Sequence, residues 1–137
     1  MKLSRSTDFA LRVLLLLASS SPQAGKATNS ELSRALKLSS PHLYKIVQAL
    51  SRGGYLRTLP GRGGGVVLGR SPDEVNLLDV IELMEGPISL TDCLVNLQDC
   101  CLSRSCLLKG KMETAQERLR EVFRSTTIRD LAGQKAG

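Results

Sequence analysis

A mainly α-helical fold with one small β-hairpin, and a long helix appended towards the C-terminus, is what these 137 residues predict. Three observations carry the prediction. Apolar residues recur at helical spacing in several stretches, and a turn rich in Pro and Gly divides two short runs that each read as a strand. Aromatic residues are scarce, at two Phe, two Tyr and no Trp, so the core has to be built from Leu, Val, Ile and Ala. One domain with an appendage is long enough to bury such a core.

The first helix is expected to start near Thr7–Asp8 and to run to about Ala18, with Phe9, Val13, Leu14 and Leu17 on its buried face. Residues 19–26 read as a polar loop containing Pro22 and Gly25. Thr28, Asn29, Ser30 and Glu31 form a capping box that starts a second, short helix ending near Leu36. After the tight turn Lys37-Leu38-Ser39, Ser40 serves as N-cap with Pro41 at the first helical position. This third helix runs to about Arg52, where Gly53-Gly54 stops it. Two short helices joined by a tight turn make a helix-turn-helix.

On the third helix, Leu43, Ile46, Val47 and Leu50 face inward, and His42, Lys45, Gln48, Ala49 and Arg52 face outward. A polar, cation-bearing face suits the major groove, where His, Lys and Gln can bond base edges or phosphates. An ordinary solvent-facing helix has the same polarity, so the next element decides. Tyr55–Leu59 and Val66–Leu68 are separated by Pro60-Gly61-Arg62-Gly63-Gly64-Gly65, a hairpin by its turn chemistry. A helix-turn-helix followed at once by a hairpin is a winged helix. Its expected DNA contacts are Ser40, Pro41, His42, Lys45, Gln48 and Arg52 from the helix, with Arg57, Arg62 and Gly63 from the wing. The glycine-rich loop is not read as a nucleotide cradle, because no Gly-Lys-Ser/Thr follows it.

Charge agrees with double-stranded DNA as partner. Residues 1–70 hold 11 Lys/Arg against 2 Asp/Glu, a balance of +9, while residues 71–137 hold 8 against 11, a balance of −3. Lys2, Arg5 and the apolar run Val13–Ala18 imitate a signal peptide, but Asp8 and Arg12 interrupt the run and its apolar residues keep helical spacing. No stretch is long enough to span a bilayer, so the expected location is the cytoplasm, with no membrane partner.

Ser71-Pro72 is expected to open a fourth helical region, with Leu77, Val80, Ile81 and Met84 spaced for burial and Gly86-Pro87 at its end. All four cysteines then fall within the fourteen positions from Cys93 to Cys106. Beyond them, Leu108, Met112, Ala115, Leu119, Val122 and Thr126 make a seam of nearly three heptads, expected to pair two copies of the chain. The predicted organisation is therefore residues 1–86 as the winged helix-turn-helix, 87–106 as a cysteine-rich loop, 107–132 as the dimerisation helix with a short terminal helix, and 133–137 as a disordered tail.

The cysteines admit three readings. Structural zinc is poorly served, since no CxxC pair exists and adjacent Cys100 and Cys101 do not easily reach one tetrahedral centre. A reversible disulfide needs only two of the four. An iron–sulfur cluster held by Cys93, Cys100 and Cys106 leaves one iron for another ligand, with Cys101 a bystander or a substitute for Cys100. A thiol enzyme pairing a cysteine with His42 lacks a third group to orient the histidine, so no catalytic activity is expected.

From Met1 to about Ala132 the chain resembles the winged-helix iron–sulfur regulators that include IscR and NsrR. The resemblance rests on Asp8-Phe9-Ala10-Leu11-Arg12, His42-Leu43-Tyr44-Lys45-Ile46, Leu50-Ser51-Arg52-Gly53-Gly54-Tyr55 and the wing Gly61-Arg62-Gly63-Gly64-Gly65. It is carried further by three spaced cysteines and by Thr127-Ile128-Arg129-Asp130-Leu131. It implies a homodimeric transcription regulator, a repressor, whose cluster state sets its affinity for promoter DNA. The IscR type has a histidine where this chain has Lys109. Asp8, the pattern of His42, Lys45 and Ile46, and the run Pro87-Ile88-Ser89-Leu90 are similar to the NsrR type. That type implies a 4Fe–4S cluster sensing nitric oxide, with Asp8 as fourth ligand to the cluster of the partner subunit. The alternative is an IscR-like 2Fe–2S sensor of iron, cluster supply or redox state.

Overall fold

The computed structural model describes residues 2–19, 25–91 and 106–133. Helix α1 (Arg5–Ala18) starts earlier than expected, because the Ser4 hydroxyl accepts from the backbone N–H of Thr7 and caps it. Phe9, Ala10, Val13, Leu14 and Leu17 are buried along its inner face. The Thr28–Glu31 capping box opens α2 (Asn29–Leu36) as read, and Lys37 closes it in the left-handed region at φ 53.

The N-cap of α3 (Ser40–Arg52) is Ser39, not Ser40, and Pro41 sits one place further into the first turn. The backbone N–H groups of that whole turn lack helical partners, so a proline marks the turn without marking which residue caps it. Leu43, Ile46, Val47 and Leu50 are buried as expected. The wing is β2 (Leu56–Leu59) against β3 (Gly65–Leu68), antiparallel, in register from Leu56 opposite Leu68 to Leu59 opposite Gly65. A third strand, β1 (Lys26–Ala27), pairs with the other side of β3, giving the order β1-β3-β2. Lys26 was expected in a loop, because so short a strand shows no alternation.

The fourth helical region is divided. A 3-10 turn (Pro72–Glu74) ends at buried, extended Val75, and Asn76 then caps α4 (Leu77–Glu85) through its side chain. Gly86, at φ 84, ends α4 as expected. Helix α5 (Leu107–Arg124) leads into α6 (Ile128–Ala132), which opens on a capping box between Thr127 and Asp130. The junction is fastened to the domain: the N–H of Leu77 donates to Thr126 O at 2.9 Å, and the N–H of Ile128 donates to Val75 O at 2.9 Å. Ile128 joins the same buried cluster as α1, α3 and the wing.

The heptad seam does not behave as one strip. Met112, Leu119 and Thr126 are half-buried, while Leu108 and Val122 are 61% and 60% exposed and Ala115 is exposed. Arg120 reaches Glu82 on α4 in an ion pair, and the N–H of Leu90 donates to Gln116 at 3.0 Å, so one side of α5 serves its own domain. Among the described residues, no helix is long and apolar enough to cross a membrane.

Candidate nucleic-acid interface and the anchor points of the cysteine loop

Helix α3 lays its apolar positions into the core, and this fixes what its outer face presents. Ser40, Pro41, Tyr44, Lys45, Gln48 and Arg52 are exposed. Tyr44 was missed by the sequence reading, although its place three residues after Pro41 and four before Gln48 sets it on this face. The Gln48 amide donates from Nε2 to Tyr44 Oη at 3.0 Å. His42 is half-buried instead: its Nε2 lies 3.1 Å from Ser6 Oγ, and its ring stands edge-on to Phe9, 6.2 Å between centroids. It therefore ties α3 to α1.

The wing places Arg57 on β2 and Arg62 and Gly63 at the tip, all exposed. Its glycines divide by role. A Cβ on Gly64 would collide with the carbonyl oxygens of Leu59 and Gly61, so that glycine closes the turn. Gly61 and Gly63 have open space around them and supply positive φ, at 84 and 74. Lys26 Nζ donates to Gly63 O at 2.5 Å, which fastens the tip to β1. At the base, the Arg70 guanidinium lies 4.7 Å from the Tyr55 ring and donates to Gly53 O at 3.0 Å, joining the wing to the end of α3.

The cations of this face carry no ion pair with any described residue. Arg12, Lys109, Arg120, Arg124 and Arg129 each pair with a carboxylate. Among the described residues, no carboxylate pairs with Lys45, Arg52, Arg57 or Arg62. Cations left unpaired along a helix and a wing tip are free to meet phosphates.

Cys93, Cys100 and Cys101 lie outside the described residues; Cys106 is half-buried and forms the N-cap of α5. Asp8 stands in the first turn of α1 with its carboxylate 3.0 Å from Arg12 and its side chain 50% exposed, so it is open to an external ligand. Within the described residues, no three His, Cys, Asp or Glu side chains gather as a metal site. Where the chain leaves α4 for the cysteine loop, Glu85 is held against α1. Its Oε1 accepts from the Thr7 hydroxyl at 2.6 Å and from the Ser4 N–H at 2.6 Å. These bonds favour the anion and lower the Glu85 carboxyl below the usual carboxylate range.

A basic helix-turn-helix and wing carried on one core define a winged helix-turn-helix transcription regulator, and no enzyme is found among the relatives that follow. The family model for Rrf2, an iron-dependent transcriptional regulator, matches residues 3–134, and the chain belongs to the Rrf2 family. It is 34% identical to the HTH-type transcriptional regulator NsrR of Bacillus subtilis, over 98% of this chain and 92% of that one. It is 34% identical to protein aau3 of Rhizobium meliloti, over 96% and 84%. Among solved structures it matches CymR, the global cysteine regulator of B. subtilis, with a TM-score of 0.80 and 28% identity, covering 96% of both chains. The fold also matches IscR of T. potens, with a TM-score of 0.74 and 21% identity, covering 100% of this chain and 94% of that one.

Proposed function

We propose that this chain is a homodimeric repressor of promoter DNA whose cysteine loop holds a 4Fe–4S cluster sensing nitric oxide. The observation that carries the reading is the chain of contacts from the end of α4, where the chain leaves for the loop, to the DNA-facing helix. Glu85, the last residue of α4, is bonded to Ser4, the N-cap of α1, and to Thr7 within that helix, and Ser6 on it meets His42 of α3. The state of the loop is therefore coupled to the orientation of α3.

The cluster ligands in this reading are Cys93, Cys100 or Cys101, and Cys106, with Asp8 contributed by the partner subunit. Three soft thiolates and one exposed carboxylate suit iron, the carboxylate being the weaker holder. When bound, the cluster supplies an iron centre that reacts with nitric oxide. The remaining work belongs to the protein. Arg12 is placed to pair with Asp8 when its carboxylate is free. Release of the loop loosens the hold of Glu85 on α1, and α1 carries α3 with it through Ser6 and His42. Two reading heads on a two-fold dimer tolerate little displacement before half-site spacing is lost.

The exposed positions Leu108, Ala115 and Val122, seven residues apart on α5, are the pairing surface for the second copy. DNA contacts in this reading are Ser40, Pro41, His42, Lys45, Gln48 and Arg52 on α3, with Arg57, Arg62 and Gly63 on the wing. Similarity to NsrR supports nitric oxide as the signal. Similarity to CymR, which is also known in an oxidized form, favours a cluster-free thiol regulator as the second reading.

Anaerobic purification followed by native mass spectrometry tests this. Four irons per chain, lost or altered on adding nitric oxide, with promoter affinity falling in parallel, is the expected result. Two irons point to an IscR-like sensor, and no metal with a disulfide to the thiol reading. Equal promoter binding by cluster-loaded and cluster-free protein overturns the mechanism.

A further inference from the structure

Tyr44 and Gln48 stand one turn apart on the outer face of α3, with Tyr44 55% exposed and the Gln48 amide donating to its hydroxyl at 3.0 Å. A glutamine on a surface has a broad terminal torsion, so without a partner its oxygen and its NH2 exchange places freely. A phenol both donates and accepts, so the bond to Tyr44 selects one arrangement once the phenol hydrogen is engaged by a phosphate oxygen and only its acceptor is left for the amide. One of the two amide hydrogens is used by the phenol, and the carbonyl oxygen with the second hydrogen remains available outward.

That pair of groups has a definite complement. In the major groove adenine offers an N6–H donor beside the N7 acceptor, which match the glutamine oxygen and N–H together. Guanine offers two acceptors there and leaves the oxygen unsatisfied. A free glutamine has to lose its rotational freedom on binding; one already fastened loses less, so more of its bonding energy appears as discrimination. Lys45 and Arg52, on either side, are donors only, so they suit phosphates or guanine and cannot supply the acceptor that the adenine N6–H needs. Tyr44, accepting from Gln48, keeps its own hydrogen for a phosphate oxygen.

We propose that Tyr44 is a positioning residue for base recognition: its hydroxyl orients the Gln48 amide so that α3 reads an adenine in each half-site. This rests on the reading of α3 as the DNA-facing helix, and the test separates the two. The full-length protein, purified anaerobically, selects a consensus from a pool of duplexes with a randomised core. Binding is then titrated against single-base-pair variants of that consensus.

An A·T pair whose preference disappears in Gln48→Ala is expected. Tyr44→Phe keeps the ring and removes the acceptor, and should lower the preference for A·T over G·C at that position about tenfold. Its thermal stability and salt dependence should be unchanged, and its affinity for random duplex should fall by no more than the one neutral hydrogen bond to phosphate, about fivefold. In a Gln48→Ala background, Tyr44→Phe should have no further effect on discrimination. If Gln48→Ala removes the preference and Tyr44→Phe keeps it, the inference fails while the reading of α3 stands. A uniform loss on all duplexes in Tyr44→Phe makes Tyr44 a phosphate contact only and also overturns it. If no consensus emerges, or if Gln48→Ala and Lys45→Ala both bind as the wild type does, the reading of α3 itself falls.

Discussion

The hydroxyl of Thr7 donates to the carboxylate of Glu85 at 2.6 Å, joining residues 78 positions apart in the chain. Thr7 is fully buried, and Glu85 is the last residue of α4. Thr7→Val keeps the shape of the side chain and deletes the donor. We expect it to lower unfolding stability by about 1 kcal/mol in urea denaturation, since an exposed acceptor recovers part of the loss from water. It should also narrow the difference in DNA affinity between cluster-loaded and cluster-free protein.

The same contact sets a dependence on pH. Because the Thr7 hydroxyl and the Ser4 amide bond the ionised form, the Glu85 carboxyl is more acidic folded than unfolded. Its contribution is therefore complete above the usual carboxylate range and is lost as the pH falls through the lowered folded value. Glu85→Gln removes this titration. Melting temperatures of wild type and variant should differ most at neutral pH and converge in acid; a constant gap at every pH contradicts the assignment.

Within the wing, Gly64→Ala should be the damaging glycine substitution, because the new Cβ meets two backbone carbonyls that cannot move without opening the turn. A loss of about 2 kcal/mol is expected. Gly63→Ala meets nothing within 4 Å and has only the strain of its φ of 74 to bear, for a loss of about 1 kcal/mol. Thermal melting of the two variants side by side checks the order.

Local signals were legible in the sequence and long-range ones were not. The Thr28–Glu31 box, the stop at Gly53-Gly54, the hairpin and the buried face of α3 each depend on neighbours within one or two turns, and each stands as read. Helices α1 and α4 start after Ser4 and Asn76, whose side chains cap them, and not near Thr7–Asp8 and Ser71-Pro72 as expected. Strand β1 exists only because Val66 and Val67 lie across from it. The cations Lys45, Arg52, Arg57 and Arg62 were found by helical period and turn chemistry. The turn of His42 towards Ser6, the bond between Glu85 and Thr7 and the split seam of α5 depend on how α1, α4 and α5 meet, which no window of sequence contains.

Val122 offers a test of pairing. It is exposed on α5, away from the ion pair that binds this helix to α4. Val122→Glu should leave the fold of the monomer intact and shift the protein from dimer to monomer at micromolar concentration in sedimentation equilibrium. Two carboxylates brought together across a two-fold axis repel, and an apolar contact is lost with them.

Lys45 is exposed and has no carboxylate partner among the described residues. If it neutralises a phosphate, Lys45→Ala should weaken binding to every duplex alike and reduce the slope of log K against log salt by about 1 per site contacted. Fluorescence anisotropy across a salt series reads both quantities.

The fastening of the α5–α6 junction has a mechanical meaning. Leu77 donates to Thr126 and Ile128 to Val75, with Thr127 opposite Asn76 between the two bonds, while Leu107 at the far end of α5 is 87% exposed. The ion pair of Arg120 with Glu82 and the bond of Leu90 to Gln116 extend that hold to the middle of the helix, so the free lever runs from Gln116 to Cys106 and is about 15 Å long. A tilt of about 5° at Gln116 swings Cys106 through roughly 1 Å over that length. The sulfur at the head of the loop is thus positioned from the middle of the helix, and a substitution at Glu82 or Gln116 reaches it without touching a cysteine.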